Sequence, residues 1–177
     1  MTTLVSFLLF CQALGASIGA VMTLWSEFAY IKVMRLPVQA GDGKIDVAER
    51  AHLDIIAKGL RFGMTLLLLA SLGLVVTAYT LNVAPQPALT PAYWVLILLA
   101  LLIIGISWAL SRRHVSFALG SAVIFTSWWF LSYLTLGWLS PLTFGSTIAL
   151  LVVATVVTYA LFYYIRLLAG HLAQKDN

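Results

Sequence analysis

Two long stretches of this chain contain no Asp, Glu, Lys or Arg at all: Phe62 to Ser111 and Val115 to Ile165. Each is long enough for two membrane spans of about 20 residues. A third apolar stretch, Thr2 to Ser26, is equally free of charge. A soluble domain carries about a quarter charged residues, and this chain has 9%, with 62% hydrophobic residues. The chain therefore reads as all-α, a single domain of 177 residues built as a membrane bundle of five transmembrane helices.

Breakers place the helices. The first is expected from about Leu4 to Met34, stopped by Pro37, because proline disfavours helical geometry in the residue before it. The start of the chain lacks a basic segment, and its apolar character runs past twenty residues, so it reads as an uncleaved first helix rather than a signal peptide. Asp42-Gly43 is a turn signal. Asp46 and Glu49 have the spacing of an N-cap and its reciprocal acid, which predicts a second helix from Val47 to Leu81. At 1.5 Å per residue that helix is about 50 Å long, more than the roughly 30 Å of hydrocarbon. Its first turns, with Glu49, Arg50, His52, Asp54, Lys58 and Arg61, are expected to stand outside. Three prolines between Asn82 and Pro91 make a loop. Further helices are predicted over 92–111, 115–136 and 142–168, with Gly170 as the last C-cap.

All ten Lys and Arg fall at 32–61, at 112–113 and after 165. Alternating topology puts those segments on one side, and basic segments stay in the cytoplasm. The expected orientation is N-terminus out and C-terminus in, in a bacterial inner membrane, with Trp94 and Trp138 near the outer boundary. The basic excess is thus assigned to topology and the bilayer, with no nucleic-acid partner.

Glu27 is the only acid inside an apolar span. Ionisable residues there are costly and usually face the bundle interior or a water-filled cavity. If the second helix returns beside the first, Lys58 or Arg61 comes near the depth of Glu27. Three readings are open: a salt bridge that fixes the hairpin, a proton- or ion-binding site with one of those cations coupled to it, or a glutamate that snorkels to water with no role. Gly15 and Gly19 form one GxxxG, doubled by Ala16 and Ala20. Gly59 and Gly63 form another. Small residues at this spacing let helix backbones approach closely, either within the chain or across the seam of a homo-oligomer.

Other groups point to no chemistry. Cys11 is the single cysteine, so no internal disulfide and no CxxC site can form. His52, His114 and His171 are all expected at the cytoplasmic side, away from mid-span, which disfavours a buried bis-histidine haem. Cys11, Met22, Met34 and Met64 are soft atoms that more often fill gaps than hold copper. The run from Asp42 to Glu49 resembles half of a calcium loop, but Val38 and Ala40 stand where its first carboxylates belong. Trp128, Trp129, Phe130 and Tyr133 are expected to pack or face lipid. Tyr159, Tyr163 and Tyr164 read as an interfacial anchor. No cofactor and no metal site is expected, and no catalytic constellation argues for an enzyme.

Leu14-Gly15-Ala-Ser-Ile-Gly19, Glu27-Phe28, Lys44-Ile45-Asp46 with Glu49, Gly63, and Ser71-Leu72-Gly73-Leu74 together resemble the first two helices of a group of uncharacterised bacterial polytopic inner-membrane proteins. The resemblance covers about Gln12 to Val76. The group's pattern has histidine where this chain has Gln12 and usually Asp where it has Glu27, so a metal or haem role is not implied. It implies no activity either. The leading expectation is a non-enzymatic membrane component acting through helix packing. The alternatives are a small ion- or proton-linked transporter using Glu27 and a redox or lipid/quinone-binding membrane subunit.

Overall fold

The computed structural model describes residues 2–35, 43–82, 86–138 and 143–175, with side chains over 3–34, 47–82, 86–138 and 143–169. Those residues are helical throughout, with short turns and no strand. The helices are α1 (Thr2–Arg35), α2 (Gly43–Gly59), α3 (Thr65–Thr80), α4 (Pro91–Ser111), α5 (Phe117–Thr135) and α6 (Phe144–Lys175). A π-helical turn, Leu60–Met64, joins α2 to α3 without a break, since Gly59 and Thr65 on either side keep right-handed helical angles. Among the described residues, five helices are therefore long and apolar enough to cross a membrane: Thr3–Met34, Val47–Thr80, Pro91–Ser111, Phe117–Thr135 and Phe144–Ala169.

The ends of these helices have local causes. Thr90 caps α4 by accepting from Tyr93 N through Oγ1, and Pro91 takes the first helical position, where a missing N–H costs nothing. Asn82 and Gly137 adopt positive φ, 51° and 72°, just past the ends of α3 and α5, as left-handed C-terminal residues do. Arg113 does the same, at φ 58°, in the tight turn from α4 to α5.

Three features of the helices differ from expectation. The second rod begins at Gly43 rather than near Val47, so Asp46 lies within its first turns rather than capping it. It is not a uniform α-helix, because the π turn wraps one residue more per turn. The last helix runs through Gly170 to Lys175. A glycine inside a helix costs only about 1 kcal/mol, and Gly170 does not end this one. The loop from Gln39 to Asp42, Pro37 and Pro141 lie outside the described residues.

The centre of the bundle is Trp128 of α5, fully buried with Leu67, Leu99, Ile103, Ile124 and Leu131. Its indole lies in a seam of glycines. A methyl group placed on Gly15 would stand 2.7 Å from Leu67 N and 2.8 Å from Gly63 O. One on Gly63 would meet Gly15 O at 2.8 Å and Gly19 N at 3.1 Å. One on Gly19 would fall inside the Trp128 ring. Gly59 is less crowded, with Met22 Cβ 3.0 Å away. The two GxxxG motifs thus face each other, at the level of the π turn. Backbone-to-backbone approach excludes any side chain there. These faces are occupied within the chain, so they are not free to form the seam of an oligomer.

Helix α6 packs on α5 and α1. Among its described side chains only Thr147, Phe162 and Ala169 are buried. Val152, Val153, Val156, Val157 and Leu161 are exposed.

Candidate functional site

One face of α1 carries every buried polar group of that helix: Gln12, Thr23, Ser26 and Glu27. Their spacing, with Ala16, Ala20 and Tyr30, is that of a single helical stripe. Thr23 and Ser26 hydroxyls donate back along the helix, to Ala20 O and Thr23 O. That leaves Glu27 as the stripe's reactive member, about two turns before the helix ends.

The Glu27 carboxylate is 8% exposed, and a cation reaches it from α6. Arg166 Nη2 donates to Oε1 at 2.8 Å and to Oε2 at 2.9 Å. The same nitrogen lies 2.8 Å from Ser121 Oγ of α5. The guanidinium sits against three aromatic rings, 4.8 Å from the centroid of Tyr30, 4.9 Å from Phe117 and 5.5 Å from Phe162. Tyr30 and Phe117 are themselves stacked, 5.1 Å apart. A guanidinium suits this box, because it is weakly hydrated and stacks on rings while its edge binds a carboxylate. Phe162 lies four residues before Arg166, so α6 presents both from one face. Charge, hydrogen bonds and ring faces together offset the desolvation that makes an unpaired charge so costly.

The partner expected from sequence was different. Lys58 and Arg61 are both exposed, and the ion partners of Glu27 are His52 and Arg166 instead. The second rod does return beside α1, but the face it turns toward Glu27 carries His52 instead. His52 is almost wholly buried, with Nδ1 3.6 Å from Glu27 Oε1. That is too long for a hydrogen bond. Neither ring nitrogen makes one of good geometry, although the Ser26 backbone lies within weaker reach. The imidazole is held by its edge contact with Phe117, centroids 4.9 Å apart. The expectation of a solvated histidine at this position was therefore wrong. His114 is exposed beside Trp108, and His171 lies outside the described side chains.

Phe117 also lines a cavity of about 530 Å³ with Glu49, Arg50, Leu53 and Arg113. The ring is thus common to the ion-pair box and to a space opening at the basic end of the bundle. No group of three or more His, Cys, Asp or Glu among the described residues could hold a metal ion.

Arg166, Ser121, Tyr30, Phe117, Phe162 and His52 were not foreseen as partners of Glu27. One signal was available for Arg166. It follows the second charge-free stretch by a single residue, and α6 continues about two turns beyond it. Its depth from the helix end therefore matches that of Glu27 in α1. Comparisons with models of known protein families, with curated proteins and with solved structures return no match.

Proposed function

We propose that this chain is an integral membrane protein of a bacterial inner membrane, N-terminus outside and C-terminus in the cytoplasm, acting as a non-enzymatic component through helix packing. The observation that carries the packing role is the Glu27–Arg166 clasp. It takes the one buried acid among the described residues and uses it to tie the least buried helix, α6, to α1 and α5. Hydrophobic burial does not drive helices together in lipid, so polar contacts and close packing must do so. The glycine seam supplies close packing for α1, α3 and α5, and the clasp supplies the polar contact for α6. The exposed valines of α6 then face lipid or another subunit.

Orientation is supported by the charge pattern: Glu49, Arg50, Arg112 and Arg113 gather at the end of the bundle where Glu27 lies. Single cysteines at Arg112 and Trp138, in a chain whose Cys11 is replaced by Ser, test it in intact cells. A membrane-impermeant maleimide is expected to label position 138 and spare 112. Labelling of 112 alone would reverse the orientation, and labelling of neither before or after lysis with detergent would remove the topology.

A second reading, proton-linked transport, is favoured by one contact: His52 stands beside Glu27 without a hydrogen bond of its own. Flux in proteoliposomes that depends on a pH gradient and disappears in Glu27→Gln would establish it. Flux that persists in that variant would exclude it.

A further inference from the structure

At the opposite end of the bundle from the clasp, α1, α3, α4 and α5 line a half-open cavity of about 330 Å³. Its size is at the lower end of small-molecule sites. Its walls are mostly apolar, with Val5, Leu9, Leu74 and Leu96 among them, and no charged residue lines it. Five polar side chains line it, Gln12, Ser71, Thr90, Tyr93 and Thr135; the hydroxyls of Ser71, Thr90 and Thr135 donate to nearby backbone carbonyls, which leaves Gln12 and Tyr93.

Gln12 is 8% exposed and its amide is oriented by a short relay. Ser71 Oγ donates to Leu67 O at 2.7 Å, so its one proton is committed. Gln12 and Ser71 lie 2.8 Å apart, and Gln12 Nε2 must be the donor of that bond. The carbonyl oxygen, Oε1, is consequently the end left over. It has no hydrogen-bond partner among the described residues, and neither has the Tyr93 hydroxyl. Unlike the sealed unpaired atoms elsewhere in the bundle, Oε1 stays accessible although its side chain is largely buried; it is an unpartnered acceptor on a side chain lining a space large enough for a ligand.

We infer that this cavity binds one neutral lipophile whose head carries a hydroxyl, donated to Gln12 Oε1. Neutrality follows from the lining, since an ionic head would be buried with no counter-charge. A chain longer than the cavity leaves through the side where Leu9 is half exposed. Gln12 lies about 22 Å along α1 from Glu27, at 1.5 Å per residue, so the inference goes beyond the packing role and its failure would leave the clasp untouched.

The test uses the full chain in lipid nanodiscs with a diazirine-bearing hexadecanol as probe, and adducts mapped by mass spectrometry. Adducts are expected on α1 and α4 around Val5, Leu9 and Leu96. Unlabelled hexadecanol should compete at least about fivefold better than its methyl ether, the equivalent of one hydrogen bond of about 1 kcal/mol. Gln12→Leu should lower labelling by a similar factor. Leu9→Trp, which blocks the opening and leaves Gln12 intact, should abolish it at unchanged thermal stability. Labelling spread evenly over the exposed valines of α6, an ether that competes as well as the alcohol, or a Leu9→Trp protein labelled like the parent would each overturn the inference.

Discussion

Replacing Arg166 by Met keeps an unbranched apolar stem and removes the charge, the donors and the guanidinium that lies against Tyr30, Phe117 and Phe162. Glu27 then loses two hydrogen bonds of 2.8 and 2.9 Å, and Ser121 loses its contact at 2.8 Å. Breaking a buried pair by removing one partner costs about 3–5 kcal/mol. Proton uptake sets a ceiling on that cost. Neutralising an ordinary glutamate at pH 7 takes about 1.36 kcal/mol for each unit above about 4.3, or roughly 4 kcal/mol in all. Glu27→Gln strands the guanidinium instead, although the three rings still hold it, and is expected to cost about 2–4 kcal/mol. The double variant leaves no unpaired charge and should lose much less than the sum. The assay is equilibrium unfolding in mixed micelles, titrated with SDS and followed by tryptophan fluorescence. A coupling of at least about 2 kcal/mol is expected from groups in direct contact. Single variants within about 1 kcal/mol of the parent, or strictly additive losses, would refute the argument that the clasp holds α6.

Gly15→Leu puts a side chain where backbone atoms stand at 2.7 and 2.8 Å, and should lower stability by more than about 2 kcal/mol, whereas Gly105→Ala, with nothing within 4 Å of its new methyl group, should be neutral or stabilise α4 by up to about 1 kcal/mol. The same SDS titration reads both, and a tolerated Gly15→Leu would contradict the seam. His52→Leu replaces two nitrogens that lack hydrogen bonds by an apolar group of similar volume, so its stability should stay within about 1 kcal/mol of the parent. A loss as large as that of Glu27→Gln would show that the imidazole does bind Glu27.

The spacing of charges along the chain was enough to determine that there are five long apolar helices and nearly where each lies. Ions are costly in oil and apolar side chains are costly in water, and both penalties act on the linear sequence. It also marked Glu27 as exceptional, and the glycines at four-residue spacing as contact points. Which cation meets Glu27 was decided by the tertiary structure alone. Helices that are apolar almost all round carry no stripe to say which face is inward. In the second rod the charges and the spacing of Ala48, His52, Ile56, Gly59 and Gly63 do mark an inward face, but which neighbours that face meets could not be read from its residues. Nor could the pairing of Glu27 with Arg166, which lies 139 residues further along the chain. That contact exists because Trp128 fills the gap left by Gly19 and Gly63, which fixes α5 against α1. Ser121 and Phe117, about two and three turns below Trp128 on the same helix, then receive the arginine of α6.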